Sequence, residues 1–433
     1  MNAPCRWIVM CSGFALVAWR ALPAGGQPEG TPPPPDVPPT PDAGPASDQP
    51  PAPDAAPTVP AEPTAAEPEL SPAPAGFERN LAGSIQLDFM AVPSRDTGRD
   101  VALDGATAEV SIKITNDFSS TVSASVKACF ACHGPEVGMA LFDIRLADAF
   151  NIRAGRFTPS FGEFPARHDP ANHRTSDKPL VYDMGRMVRL TDWNEGVLPA
   201  PWVDNGVEVN GTQYVGDHFQ ADYAAYAISG PRAGGEPTDF DFRLSRSGEA
   251  YYVDNNSRPV LGGQLVASFL GDRTTFALGA SAMRGTYDPD HRLPFAIAAA
   301  HAVLRVGDVF FRAEYLTRRT RMALGSDPGA VFKYGPGPDG TFDPYVVKDG
   351  GYLELEVPLG DRLTGVLRED GLRRRGNVLA TSELRKDSAI LRHTAALAVL
   401  LHASLRLKLS YEYCDFSDFD DEHIIHAGIA GPF

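Results

Sequence analysis

From residue 77 onward, the chain consists of short segments in which apolar and polar side chains alternate. In the segment Leu405–Cys414, leucines and tyrosines at the odd positions oppose mostly charged or hydroxyl side chains at the even positions. A period of two residues is the period of a β-strand, so each segment has one apolar and one polar face. The clearest segments have about ten residues, the length that a tilted strand needs to cross a bilayer.

Seventeen segments are candidate strands. One of them is expected to be spurious, because closed barrels of this kind usually have an even number of strands. An open sheet edge in lipid would leave backbone groups unpaired, so we predict an all-β transmembrane antiparallel barrel of about 16 strands. The alternative is a secreted β-sandwich. The candidates are Leu81–Met90, Ala106–Thr115, Thr121–Phe130, Gly138–Arg145, Phe150–Thr158, Gly206–Val215, His218–Ile228, Asp239–Leu244, Val260–Leu270, Thr274–Arg284, Phe295–Val306, Val309–Thr320, Tyr352–Leu359, Arg362–Glu369, Ala389–Leu401, Leu405–Cys414 and Glu422–Phe433.

Two segments of different composition precede this region. Residues 1–24 combine a basic Arg6, the uncharged stretch Trp7–Trp19 and the small-residue end Ala21–Ala24, so we predict a signal peptide. Residues 25–76 hold 18 prolines, eight acidic residues and no lysine or arginine. Proline disfavours both helix and sheet, so we predict a disordered, Pro-rich linker in the periplasm. The barrel then occupies residues 77–433.

Charge and motifs exclude several classes of function. The net charge of −16 argues against nucleic acid as a partner. The sequence contains no pattern typical of a hydrolase triad, a phosphate-binding loop or a pair of catalytic carboxylates. We therefore expect a protein that is not an enzyme.

The last candidate strand ends on an aromatic residue. Ile425, Ala427, Ile429 and Phe433 share one face of it. This end resembles the C-terminal signal of bacterial outer-membrane barrels, which end in Phe, although Pro432 departs from the usual pattern. The resemblance implies a location in the outer membrane, with its lipid as a partner.

A second resemblance lies in the middle of the chain. The run Phe150-Asn-Ile-Arg-Ala-Gly-Arg-Phe-Thr-Pro-Ser-Phe-Gly162 resembles the strand-to-loop segment of phosphate-selective porin O/P-type barrels. It implies a passive or anion-favouring pore for small solutes, and assembly as a homotrimer is left open. Basic residues on the polar faces would suit anions, but acidic residues share those faces. The two sets are Lys113, Lys127, Arg145, Arg153, Arg312, Arg406 and Lys408 against Glu109, Asp143, Glu314 and Glu412.

The motif with the most specific chemistry is Cys129-Phe-Ala-Cys132-His133. This C-x-x-C-H spacing resembles the haem-attachment motif of c-type cytochromes. The resemblance implies one haem c, with Cys129 and Cys132 bound covalently and His133 as a ligand of the haem iron.

Several observations leave alternatives to haem open. The motif follows a strand directly, so there is no room for an ordinary cytochrome domain. A Cys129–Cys132 disulfide, two free thiols or a metal site are the alternatives. If haem is attached, a sixth iron ligand is to be sought among His168, His173, Met184 and Met187. The polar segment around the two histidines is also explained as a constriction loop in the barrel lumen.

Together these observations predict an outer-membrane, porin-like channel with one attached haem c. Such a protein would support electron transfer at the outer membrane, with periplasmic or surface cytochromes as partners. The alternative is a plain diffusion porin for small, anionic or uncharged solutes, in which Cys129 and Cys132 form a structural disulfide.

Overall fold

The computed structural model describes residues 78–92, 105–131, 134–183, 193, 196–232, 254–321, 345–376, 384–385, 387–402 and 404–433. The predicted signal peptide and linker lie outside the described residues, as does the candidate strand Asp239–Leu244. Among the residues that the structure describes, no helix has both the length and the hydropathy to cross a membrane.

Sixteen antiparallel strands form one closed barrel, in which each strand pairs with its neighbours in sequence and β1 pairs with β16. This confirms the predicted strand number and closure. The strands are β1 Glu78–Ala91, β2 Gly105–Asp117, β3 Val122–Ala131, β4 Gly134–Ala147, β5 Phe150–Phe157, β6 Asp204–Val215, β7 Phe219–Ile228, β8 Val260–Leu270, β9 Thr274–Thr286, β10 Pro294–Val306, β11 Val309–Arg321, β12 Tyr345–Pro358, β13 Leu363–Arg375, β14 Asp387–His402, β15 Leu405–Phe416 and β16 Glu422–Pro432.

Two strands are longer than the sequence predicts. β12 begins at Tyr345 rather than Tyr352, and β13 continues to Arg375 rather than ending at Glu369. In both extensions the alternation is broken, because Asp349 and Arg373 occupy positions on the outer face. Here the register with neighbouring strands, rather than the hydrophobic pattern, determines where the strand ends.

The barrel turns its apolar faces outward and its polar faces inward. On β1, the outward Leu81 and Phe89 are 66% and 52% exposed, whereas the inward Gln86 and Asp88 are buried. A water-soluble barrel would bury the apolar face, so this arrangement is the one expected of strands that face lipid. Large exposed apolar side chains surround the barrel, among them Leu87, Ile114, Val126, Phe142, Val207, Phe219, Leu265, Leu278, Leu353, Leu367, Leu397 and Ile425.

The terminal phenylalanine takes part in closing the barrel. The backbone N–H of Phe433 donates to the carbonyl of Gly83 on β1 at 3.0 Å, and the N–H of Gly83 donates back at 2.9 Å. A Cβ atom at position 83 would lie 2.2 Å from Cζ of Phe433, so the glycine makes room for the terminal ring. The residue that resembles an outer-membrane signal therefore also pairs the first and last strands.

The buried apolar core includes a long segment between β5 and β6 that folds into the lumen. It contains two 3₁₀ turns, Phe164–Arg167 and Leu180–Tyr182. Its apolar side chains are almost completely buried, including Phe161, Phe164, Leu180, Val181, Tyr182, Trp193, Val197, Leu198 and Trp202. We call the described residues of 158–203 the inner segment. It occupies the place that the sequence analysis assigned to a constriction loop.

Candidate functional site

The inner segment enters the lumen through a glycine. Gly162 has φ +66°, a left-handed conformation that glycine adopts without strain. Its N–H donates to Ser281 Oγ on β9 at 2.9 Å, and its carbonyl accepts from Gln264 Nε2 on β8 at 2.7 Å. A Cβ at this position would lie 2.2 Å from the Tyr182 hydroxyl oxygen, so the site is also sterically closed to larger residues.

A single carboxylate on β11 collects the next contacts. Glu314 Oε1 accepts the backbone N–H of Glu163 at 2.8 Å and the hydroxyl of Tyr182 at 2.6 Å. Its Oε2 accepts the hydroxyl of Tyr352, from β12, at 3.1 Å. Glu314 thus joins both 3₁₀ turns of the inner segment to the barrel wall.

Two buried arginines attach the middle of the inner segment. Arg392 on β14 donates to Asp177 Oδ2 at 3.0 Å and to Asp370 Oδ1 at 2.9 Å. Arg368 on β13 donates to Thr175 Oγ1 at 2.9 Å and to Asp370 Oδ2 at 2.9 Å. Asp370 also accepts the backbone N–H of Leu180 at 2.7 Å. Both guanidinium groups are almost completely buried, and their charges are compensated by carboxylates, as buried charges must be.

Other basic residues of the wall hold carbonyl groups of the inner segment. Arg406 donates to the carbonyl of Ala171 at 2.8 Å, and Lys408 donates to the carbonyls of Pro170 and Thr175. Lys348 donates to the carbonyl of Trp193. These residues lie on β12 and β15, next to the arginines described above. The wall from β11 to β15 therefore forms one continuous attachment surface.

These contacts change the role expected for several basic residues. Arg312, Arg406 and Lys408 were expected to face permeating anions. Arg312 instead pairs with Glu354 at 3.2 Å and Glu356 at 2.7 Å, while Arg406 and Lys408 hold the inner segment. The pattern of the sequence placed these residues on the inner face correctly. It could not show that a segment distant in sequence would cover them.

On the opposite wall the inner segment makes a salt bridge with β3. Lys127 Nζ lies 2.6 Å from Oδ1 and 2.8 Å from Oδ2 of Asp169. Burial raises the pKa of Asp169 and the charge of Lys127 lowers it, with a net pKa below the ordinary value. Asp169 is therefore ionised at neutral pH, and the pair links the inner segment to the wall that it otherwise leaves open.

His168 lies beside this salt bridge in its neutral form. Burial lowers the pKa of His168 to about 4. Its Nδ1 is 2.6 Å from the carbonyl of Pro165, and its Nε2 is 3.3 Å from Asp169 Oδ1. Both ring nitrogens thus have partners within the inner segment.

A cavity of about 400 Å³ remains between the inner segment and the wall of β1–β5. Lys113, Lys127 and Arg153 line it, together with Asp169 and Gln264. Arg153 pairs with Asp143 at 2.9 Å and with Glu208 at 3.3 Å. Lys113 forms no ion pair with any residue that the structure describes. The cavity is therefore bordered by more positive than negative charge.

The cysteine motif lies at the end of β3. Cys129 faces the lumen two residues beyond Lys127, is half-buried, and is a free thiol among the described residues. β3 stays extended through Ala131, which pairs with Gly134 at the start of β4. Cys132 and His133, in the turn between these strands, lie outside the described residues. Cys414, on β15, is a buried free thiol.

The proposed sixth ligands fall in different places. His168 borders the same cavity as Lys127, whereas His173 is buried and packs against the ring of Phe164, with centroids 5.7 Å apart. Met184 and Met187 lie outside the described residues. Of the candidate ligands that are described, only His168 therefore lies on the side of the lumen where Cys129 is found.

Sequence reasoning missed the residues that position the inner segment. Gly162 and Glu163 stand within or next to the motif Phe150–Gly162, and a glycine before a proline-containing polar segment is a signal for a sharp turn. Asp169, Asp177 and Glu314 gave no such signal, because their partners are far away in the sequence.

Solved structures that resemble this chain are outer-membrane channels. DcaP of Acinetobacter baumannii has a TM-score of 0.50 and 12% identity, covering 84% of this chain and 99% of its own. OmpF of Salmonella typhi, in a complex with daunomycin, has a TM-score of 0.51 and 10% identity, covering 82% and 97%. No family model and no curated protein sequence matches the chain. At such low identity the likeness concerns the fold, which is the closed 16-strand barrel of outer-membrane porins.

Proposed function

We propose that this protein is a passive diffusion channel of the outer membrane, and not an enzyme. The observation that carries the proposal is the one-sided filling of the lumen. The inner segment is attached to the wall from β11 to β15 and leaves a cavity along β1–β5. Solutes would pass along this open side, bordered by Lys113, Lys127 and Arg153.

We further propose that the channel favours small anions modestly. Lys113 is a cation of the cavity wall without an ion pair in the described part of the chain, while Lys127 and Arg153 are each paired with carboxylates. A pore lined by excess positive charge attracts anions. The resemblance of Phe150–Gly162 to phosphate-selective porins makes inorganic phosphate the first solute to compare with chloride.

Planar-bilayer recording tests both proposals. The purified, folded barrel should produce discrete ohmic current steps, and a potassium chloride gradient should give a reversal potential on the anion-selective side. Lys113→Gln should move that potential towards zero, whereas Arg145→Gln, at an exposed position on β4, should change it less. A barrel that is shown to be folded by its heat-modifiable gel mobility, yet gives no steps, would contradict the channel proposal.

Haem attachment is the second candidate function. It is favoured by the motif and by the position of Cys129, whose thiol faces the lumen beside the cavity. Cys129, Cys132 and His133 would hold the haem, which would supply one-electron transfer to periplasmic or surface cytochromes. The extended backbone through Ala131 spaces residues about 3.3 Å apart, which is wider than the 1.5 Å of a helical turn. The fit to a covalently attached haem is therefore incomplete, and we favour the plain channel.

A pyridine-haemochrome spectrum decides between the two candidates. Protein expressed together with a haem-attachment system should give no covalent haem if the channel stands alone. Covalent haem that disappears in Cys129→Ser would establish the second function instead. Thiol counting under denaturing, non-reducing conditions then shows whether Cys129 and Cys132 are free or form a disulfide.

The proposed function includes the segments before the barrel and its assembly. Residues 1–24 would direct export, and residues 25–76 would extend into the periplasm as a proline-rich linker. Assembly into trimers would place three such channels side by side. Mass measurement of the mature protein in detergent gives both the processing site and the number of chains in each particle.

A further inference from the structure

The outer surface of the barrel carries a row of arginines at one end. Arg284 on β9, Arg319 on β11 and Arg375 on β13 occupy the same cross-strand row. The register connects them through one residue on each intervening strand, with Ala296 between the first two and Val347 between the last two. Alternate strands are about 9.6 Å apart, so the three arginines follow one another at roughly 10 Å.

Two more arginines extend this row into a patch. Arg321 lies two residues beyond Arg319 on β11, and Arg373 lies two residues before Arg375 on β13, both on the outward face. We call the five residues Arg284, Arg319, Arg321, Arg373 and Arg375 the arginine belt. The belt lies at the end of the barrel with the long connections, such as 158–203, 229–259 and 322–344. The opposite end has short turns such as 148–149 and 307–308.

The belt has a positive charge that its neighbours do not balance. Asp349 pairs with Arg375 at 3.0 Å and with Arg373 at 3.5 Å, and Asp387 lies 3.8 Å from Arg373. Arg319 lies over the ring of Tyr345, 3.8 Å from its centroid. Arg284, Arg319 and Arg321 form no ion pair with residues in the described ranges. Five arginines against two aspartates leave three positive charges on this surface.

The belt lies directly above side chains that face lipid. On β9, the outward positions before Arg284 are Phe276, Leu278, Ala280 and Ala282. The outward side chains at the same end of β1, β2 and β3 are apolar, including Phe89, Ala106 and Phe130. The charge is therefore concentrated on one side of the barrel, next to the boundary between the apolar surface and water.

We propose that the arginine belt binds phosphate-bearing lipid headgroups of the membrane leaflet at the long-loop end. A guanidinium group donates two parallel hydrogen bonds to a phosphate, and basic clusters at a membrane boundary recognise anionic headgroups. Tyr345 adds the aromatic side chain typical of this boundary. Because the patch faces outward at the edge of the apolar surface, the neighbouring molecule it meets is a lipid. This inference rests on the membrane location proposed above.

Lipid retention measures the proposed binding. The protein is reconstituted in phosphatidylcholine vesicles containing lipid A, which carries two phosphates, or its dephosphorylated form. After extraction in mild detergent, native mass spectrometry counts the lipid molecules kept by each barrel. We expect retention of the phosphorylated lipid and little retention of the dephosphorylated one. The triple variant R284Q/R319Q/R321Q should lose roughly a hundred-fold in affinity, since each arginine near an anionic surface contributes about tenfold or less.

A matched variant and channel recording separate the possible outcomes. R273Q/R305Q/R362Q removes three arginines from the short-turn end and should keep the lipid. Equal retention of both lipid forms by the unaltered protein, or equal retention by the two triple variants, overturns the proposal. A belt variant that loses its oligomeric state without losing lipid would show that a second copy covers the belt, which also overturns it. Current steps from the same vesicles test the membrane channel separately.

Discussion

Gly162 is the residue at which the path of the inner segment is most constrained. Gly162→Ala should weaken the attachment by about 1–2 kcal/mol from the left-handed backbone alone. The contacts with Tyr182 and Glu314 should add to this loss, because a Cβ has no room beside their oxygen atoms. Urea unfolding of the barrel in detergent, followed by tryptophan fluorescence, measures the difference.

Gly216 provides the control for this substitution. It has φ +63°, nearly the same as Gly162, but no atom lies within 4 Å of where its Cβ would be. Gly216→Ala therefore carries the backbone cost without the crowding. A Gly162→Ala loss no larger than that of Gly216→Ala would show that the contacts with Tyr182 and Glu314 do not constrain the turn.

His168 should make the attachment of the inner segment sensitive to acid. Its pKa is about 4 in the attached state, compared with an ordinary value near 6.5, because the ring is buried. Between these two values the attached state binds fewer protons than a detached one, so attachment weakens as the pH falls from about 6.5 to about 4. Lys127, Asp169 and Lys178 are the charged groups whose fields act on the ring.

Single-channel recording over the same pH range checks this prediction. Current fluctuations should become more frequent as the pH is lowered through that window. In His168→Gln, which cannot take up the proton, the fluctuations should not depend on pH between 6.5 and 4.5. An unchanged pH dependence in the variant would assign the effect to other groups.

At the scale of elements, the inner segment is held unequally by its two sides. The wall from β11 to β15 holds it through buried arginines, whereas β3 holds it through the pair Lys127–Asp169. Arg392→Met would leave Asp177 and Asp370 without this buried partner. Breaking a buried ion pair on one side costs about 3–5 kcal/mol. We therefore expect a clear fall in the free energy of unfolding, measured with urea.

The exposed pair on β4 and β2 is the matched comparison. Arg145 lies 3.7 Å from Asp117, and its side chain is 57% exposed. Exposed pairs contribute at most about 1 kcal/mol, so Arg145→Met should change the free energy of unfolding little. Equal effects of the two substitutions would mean that the buried network does not hold the inner segment.

At the scale of the whole molecule, alternation predicted the barrel well. In Leu405–Cys414 the pattern alone gave the strand, its two faces and its length. The same pattern failed in β12 and β13, where Asp349 and Arg373 occupy outward positions near the strand ends. The alternation reports which residues meet lipid, so it loses its meaning where the wall extends beyond the apolar surface.

The candidate site was predicted only in part. The sequence identified the segment around His168 and His173 as a constriction, and the structure places it in the lumen. It could not show that Lys408 would hold this segment while Lys113 faces open space, because both residues occupy the same kind of inward position. Pairings across more than 200 residues, such as Asp177 with Arg392, leave no local trace in a sequence.

The central claim is that solutes pass along the open side of the lumen, beside β2 and β3. Lys113→Cys, combined with Cys129→Ser, places one thiol on this path, and Ala108→Cys in the same background places one on the outer face of β2. The measurement is the single-channel current before and after a bulky thiol reagent is added. We predict a clear reduction at position 113 and none at position 108. An unchanged current through channels labelled at position 113 would contradict the account.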